Sequence, residues 1–222
     1  MIVVIGLPAY VGSVDGEGSA GGLAVDVATA ARGRGRSVEL VGKVGDDGAG
    51  DAVVLALGRM GVGHAALLRD PARPTPVMTA APALEATGAA TAEDEELRGE
   101  VELLPADPCA RPGLEAGDIS LALRYLAETR VVVLAEPLSE AAVAAAIEGA
   151  AFAVARLVVV VLAGVNPPSL PSEATVLEAP AEDDGSFGRV VGAFAAGLDA
   201  GTEPAVAFAE AVKAAGWEPV SG

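Results

Sequence analysis

Residues 182–201, Glu-Asp-Asp-Gly-Ser-Phe-Gly-Arg-Val-Val-Gly-Ala-Phe-Ala-Ala-Gly-Leu-Asp-Ala-Gly, set an acidic turn with two glycines directly before an apolar helix. Gly185 and Gly188 permit close backbone approach. The first turn of such a helix carries N–H groups with no partner inside the helix, a geometry suited to an anion. An acidic helix start with a glycine turn is common, so the meaning of the stretch depends on what the rest of the chain brings to it.

Outward from there, strand and helix alternate. Residues 1–6 form a buried strand, a Gly-rich segment covers 12–22, and a helix spans 24–34 with Ala and Val on one face. A strand at 37–42 and a helix at 51–60 follow. Helix 115–128 feeds strand 130–134, helix 139–154 feeds strand 157–163, and helices 187–200 and 204–215 close the chain. The run Arg156-Leu-Val-Val-Val-Val-Leu-Ala-Gly164 is too short to cross a bilayer as a helix and is rich in β-branched residues, so it reads as a buried strand. Near-continuous apolar strands separated by helices predict an α/β fold with a mostly parallel sheet covered on both faces. A single domain over 1–222 fits this length. Residues 71–113, rich in Pro, Ala, Thr and acid, read as a loop-dominated region or small strand appendage, with strand signals at 76–80 and 100–104.

The chain carries 31 acidic against 14 basic residues, a formal charge of −17, which argues against nucleic acid or an anionic membrane as partner. The single Cys109 excludes an internal disulfide and any cysteine-cluster metal site, and it fits a reducing compartment. The first residues lack the basic start, long apolar core and cleavage site of a signal peptide, so the cytoplasm is the expected location.

Residues 21–45, Gly-Gly-Leu-Ala-Val-Asp-Val-Ala-Thr-Ala-Ala-Arg-Gly-Arg-Gly-Arg-Ser-Val-Glu-Leu-Val-Gly-Lys-Val-Gly, resemble the N-terminal signature of the ribokinase, or PfkB, family of carbohydrate kinases. The likeness continues through Asp46-Asp47, Gly50, Met60-Gly61-Val62 and Asp70–Thr75. It implies a ribokinase-like three-layer sandwich, with Gly21, Gly22 and Asp26 at the substrate pocket. Asp26 stands where the family has Asn, and a carboxylate accepts hydroxyl hydrogen bonds without donating any. The stretch 182–201 is similar to the second signature of that family, an anion hole that ends in the catalytic Asp. The resemblance implies phosphate binding at Gly185, Ser186, Phe187 and Gly188. Gly188 falls where the catalytic Asp belongs, which leaves Asp184 as a displaced base. The literal Gly48-Ala-Gly-Asp51 is read as a structural turn, with Asp51 a carboxylate at a helix start.

The resemblance implies an ATP-dependent phosphotransferase to a hydroxyl of a sugar or nucleoside, with Mg-ATP required, and weak or absent activity because the base is missing. The family motif Asn-x-x-Glu is also missing, since Asn166 precedes Pro167, Pro168 and Ser169, and Asn166-Pro-Pro runs almost directly into the second signature. The other reading is a non-catalytic ligand-binding or assembly module with no cofactor. No residues read as metal ligands. Residues 71–113 would cover the acceptor site as a lid, and an exposed sheet edge there suits a homodimer.

Overall fold

The computed structural model describes residues 1–12, 18–79, 111–181 and 185–216. The elements are β1 (Ile2–Ile5), β2 (Ala9–Gly12), β3 (Ser19–Gly21), α1 (Leu23–Gly33), β4 (Val38–Gly45), α2 (Gly48–Arg59), β5 (Leu67–Asp70), β6 (Val77–Thr79), α3 (Ala116–Tyr125), β7 (Val131–Leu134), α4 (Glu140–Phe152), β8 (Arg156–Val161), β9 (Thr175–Glu178), α5 (Ser186–Ala200) and α6 (Pro204–Ala214).

Six strands form one parallel sheet in the order β5-β4-β1-β7-β8-β9. The apolar runs read as buried strands are buried on both faces, and their alternation sorts the core. Ile2 and Val4 of β1, Val131 and Val133 of β7, and Val158 and Val160 of β8 face α1, α2, α5 and α6. Val3, Ile5, Val132, Leu134, Val159 and Val161 face α3 and α4. This is the α/β sandwich expected from the sequence.

Helix α5 is the central helix of its layer, with twelve of its fifteen residues buried. It packs along α1 on one side and α6 on the other, where the Phe194 and Phe208 rings meet edge to face at 5.9 Å and 87°. A helix apolar on nearly every side must lie inside a layer rather than on its surface.

A second sheet of three strands, β3-β2-β6, grows from the ends of the first. β2 follows β1, β3 leads into α1, and β6 follows β5, so this sheet stands at the carboxyl ends of the large one. Among the described residues, the segment of the lid expected at 71–113 that joins it is β6, which pairs in parallel with β2 from Tyr10 to Gly12. The strand signal at 100–104 lies outside the described residues.

Four strands, β2, β3, β5 and β9, were not anticipated from the sequence. β2 and β3 fall in or beside the Gly-rich segment, and β9 falls between Asn166-Pro-Pro and the acidic turn, where the chain was expected to run straight on. β9 pairs with β8 in register Val158↔Thr175 to Val161↔Glu178, yet its burial is only partial because it is the sheet edge. Among the described residues the connection 162–174 between these two parallel strands carries no helix.

Candidate functional site at the carboxyl ends of the strands

The sheet order reverses between β1 and β7: from β1 the chain proceeds to β4 and β5 on one side, and β7, β8 and β9 lie on the other. In open parallel sheets the crevice beyond the strand ends at such a reversal is the usual ligand site. Here it is bounded by Gly6 and Leu7 after β1 and by Glu136 after β7. The Glu136 carboxylate accepts a hydrogen bond from the Leu7 backbone N–H. A Cβ on Gly6 would lie 2.8 Å from the Ala24 Cβ and 2.9 Å from the Glu136 Oε1, so the strand exit admits glycine alone. Burial pushes the Glu136 carboxyl above its ordinary range, and the Leu7 N–H and the Arg111 charge pull it back only in part. A carboxylate perturbed in this way, in a crevice at the strand reversal, is a functional-site candidate. The sequence reading did not single it out. Its signal was Glu136-Pro137 directly after the buried run Val131–Leu134, and the strand order is what gives that position meaning.

Gly21 ends β3 and Gly22 caps α1. Gly22 has φ 96°, a conformation open to glycine, and its carbonyl accepts from the Val25 and Asp26 N–H groups at 2.9 and 3.1 Å. That turn sets Asp26 in the first turn of α1. Opposite it, Gly185 caps α5 in the left-handed region with φ 81°, and Ser186, Phe187 and Gly188 form the buried first turn. The two first turns touch. A Cβ on Gly188 would lie 2.6 Å from the Asp26 Cβ and 3.6 Å from its Cγ. The substrate-binding position expected on α1 and the base position expected on α5 therefore share one volume, and the side chain that fills it belongs to Asp26. Asp184 lies outside the described residues.

Asp26 and Gly185 also line a cleft of about 470 Å³ between α1, α5 and α6. The Arg189 guanidinium reaches back over the α5 turn, its Nη1 3.9 Å from the Cβ position of Gly185. The turn thus presents a helix N-terminus with a cation beside it, which fits a phosphate group. A dedicated metal cage is a different matter. Among the described residues no three His, Cys, Asp or Glu side chains group to hold a metal ion. Mg²⁺ in nucleotide sites is held chiefly by phosphates, water and one or two carboxylates.

Gly48-Ala-Gly-Asp51, read as a structural turn, forms the first turn of α2. Asp47 caps α2 by accepting from the Gly50 N–H at 2.8 Å, and it accepts from the Thr75 N–H at 2.9 Å and the Thr75 hydroxyl at 2.7 Å. The Thr75 oxygen accepts from the Gly45 N–H at 2.9 Å, and Arg69 reaches Asp51 at 2.6 Å and the Gly45 carbonyl at 3.1 Å. Burial raises the Asp47 carboxyl, but the bonds from Thr75 and Gly50 and the Arg69 charge outweigh it and hold the group below its ordinary value. This cluster ties the start of β6 to the end of β4. His64 is a turn residue whose Nδ1 lies 3.1 Å from the Val62 carbonyl.

No protein family and no curated protein matches the chain. Among solved structures it is similar to aminoimidazole riboside kinase from Salmonella enterica, with a TM-score of 0.62 at 14% identity over 96% of this chain and 90% of that one. The ribokinase of Arabidopsis thaliana complexed with ribose and ATP gives 0.58 at 13% identity, over 96% and 90%. A sugar kinase from Pyrococcus horikoshii in complex with ATP gives 0.51 at 16% identity over 75% of this chain, and the match spans 54% of that longer protein. Likeness at these identities shows a ribokinase-like fold, in agreement with the sheet order and layers described above. Among the described residues no helix is long and apolar enough to cross a membrane.

Proposed function

We propose that this chain is a ribokinase-like protein that binds the hydroxyls of a sugar or nucleoside in the crevice above β1 and β7, and slowly phosphorylates one of them. ATP supplies the phosphoryl group when bound. The α5 turn from Gly185 to Gly188 offers backbone N–H groups and the helix dipole to an anion, which stabilises charge on a transferring phosphoryl group. Glu136, when ionised, accepts a hydrogen bond from a hydroxyl, and Gly21 and Gly22 let the ring approach the backbone. The proton of the reacting hydroxyl passes to the carboxylate of Asp26, with Asp184 the second candidate for that role.

One observation carries this reading: the Asp26 side chain occupies the space next to Gly188 that a side chain on α5 would otherwise fill. A carboxylate is thereby kept at the mouth of the anion turn although residue 188 supplies none.

The test is ADP and sugar-phosphate formation from Mg-ATP with a panel of sugars and nucleosides. Turnover below the roughly 1–100 s⁻¹ common in kinases is expected. It should fall about 100-fold or more in Asp26→Asn, the usual cost of losing a general base. Equal turnover in Asp26→Asn would reject Asp26 as base.

The second reading is a non-catalytic ligand-binding or assembly module, lacking a cofactor. It is favoured by the absence of a carboxyl on residue 188 and by the short connection 162–174, which brings no helix to the nucleotide side of the sheet. Sugar binding with no turnover for any acceptor would select it. Residues 71–113 as a lid, and pairing of two copies through that region, remain part of the proposal and are tested by the mass in solution of a variant lacking that segment.

A further inference from the structure

We propose that the outer face of α3 and α4 is an interaction surface that a second copy of this chain covers. The three most exposed large apolar side chains among the described residues, Tyr125 at 80%, Phe152 at 86% and Val154 at 91%, share one end of one layer. Tyr125 ends α3 and Phe152 ends α4, and the two helices pack against each other. Val154 follows in the turn into β8, which lies next to β7 in the sheet. Leu121, exposed one helical turn before Tyr125, extends the patch. Single exposed apolar residues are ordinary, whereas a contiguous patch marks a contact surface.

Two further features set this face apart. Val154 has φ 53° and is the only non-glycine residue in the left-handed region among the described residues. Its N–H donates to the Ala151 carbonyl at 3.1 Å and the Ala155 N–H to the Ala150 carbonyl at 2.8 Å, so it ends α4 in a position that suits glycine. A β-branched side chain is strained there, and folding gains nothing by holding it in water. The layer is also incomplete. Two helices cover this face of the six strands where four cover the other, and a groove of about 390 Å³ walled by Ala65, Ala66, Leu68, Leu121 and Tyr125 runs between α3 and β5.

The charge of the face selects a second copy as the occupant. The chain carries 14 basic against 31 acidic residues, so two copies repel each other over most of their surface. Residues 111–161 are close to balance, with four arginines against six acids, and one of those acids, Asp118, is paired with Lys43 at 2.6 Å. The groove between α3 and α4 presents Arg124 and Glu148 beside Phe152. A two-fold axis along that groove sets α3 of one copy over α4 of the other. It brings each Arg124 to Glu148 of the other copy and lays each Phe152 against Leu121 and Tyr125, so the face is complementary to itself. The helices, of 10 and 13 residues, are about 15 and 20 Å long, which gives a patch at the small end of specific interfaces and a dimer that dissociates in the micromolar range. The small sheet that carries β6 stands at the other end of the strands, so this surface is separate from the pairing proposed through 71–113.

The experiment is sedimentation equilibrium of the whole chain across and above the micromolar range, repeated with Phe152→Glu, Arg124→Glu, Glu148→Arg and the variant carrying both charge reversals. All three side chains are exposed, so the variants should fold, and melting curves check this. The expected result for wild type is a mass that rises with concentration from 21.8 kDa toward twice that value. Phe152→Glu should weaken the dimer about 10-fold or more, since a buried aromatic anchor is replaced by a charge. Arg124→Glu and Glu148→Arg should each weaken it about 5-fold or more, and the protein with both reversals should regain most of the wild-type affinity. A wild type that stays at 21.8 kDa throughout would overturn the proposal, whatever other protein binds the face. A dimer untouched by Phe152→Glu forms through another surface and would overturn it too, as would charge reversals that fail to rescue each other.

Discussion

Asp26 on α1 and Gly188 on α5 are held so close that a methyl group on Gly188 would lie 2.6 Å from the Asp26 Cβ. Four residues further on, a Cβ on Gly192 would meet the Val27 carbonyl oxygen at 2.4 Å and the Ala30 Cβ at 2.7 Å. The two helices run side by side because α5 presents hydrogen atoms at both contacts.

Gly188→Ala and Gly192→Ala should each destabilise the fold by roughly 1–3 kcal/mol, since overpacking outweighs the gain of up to about 1 kcal/mol from replacing a helical glycine. Gly192→Ala should cost more, because backbone atoms cannot move aside. Introducing a carboxylate by Gly188→Asp should likewise destabilise and should not raise activity, since it sets a second carboxylate against Asp26. Urea titration of the three variants checks the order, and a Gly188→Asp protein of wild-type stability would contradict the packing.

Glu136 sets a pH dependence of definite sign. Its folded-state carboxyl titrates above the unfolded value, so the folded chain binds the extra proton between those two values. Stability contributed by this group therefore falls as pH rises through that window and stays low above it. Glu136→Gln keeps an oxygen for the Leu7 N–H, so melting at neutral pH should be equal or higher and the pH dependence flatter. A fall in melting temperature with unchanged pH dependence would contradict the assignment.

Asp47 and Thr75 hold the start of β6 to the end of β4. Asp47→Ala removes a helix cap and two bonds to Thr75, and a loss of about 2 kcal/mol is expected. Its carboxyl titrates below the unfolded value, so the contribution is present above that value and is lost as pH falls through the folded one. Acid unfolding of wild type and variant should converge at low pH. Parallel curves would show that Asp47 does not titrate with folding.

Asp199 is buried on α5, where it accepts from the Arg36 Nε at 2.6 Å and the Met1 ammonium at 2.9 Å. Burial raises its carboxyl, and these two cations more than reverse that. Arg36→Ala leaves the buried charge with one cation fewer and should cost roughly 2–4 kcal/mol, while Asp199→Asn with Arg36 intact should cost less. Denaturant midpoints for the two variants decide the order.

The layered fold was legible because the inner strands β1, β7 and β8 are short apolar runs buried on both sides, and a run such as Val131–Leu134 has no other stable placement. Helix starts were read to within about three residues, the largest shift being α2, which begins at Gly48 because Asp47 caps it. Edge elements were not legible. β9 lacks a continuous apolar run because one of its flanks meets solvent, and β2 and β3 lie among glycines that read as loop. Of the candidate site, Gly21, Gly22, Asp26 and the 185–188 turn came from the resemblance to two family signatures, and the contact between Asp26 and Gly188 joins residues 162 positions apart. Glu136 has no spacing signal, since its meaning depends on strand order.

The most direct test of the account is a calorimetric titration of wild type, Asp26→Ala and Glu136→Gln with sugars, sugar phosphates and nucleosides. The crevice reading predicts that wild type binds at least one of these and that both variants lose about 10-fold or more in affinity for it, with melting curves showing them folded. Undiminished binding in both variants, or no binding by the wild type, would contradict the placement of the site at the ends of β1 and β7.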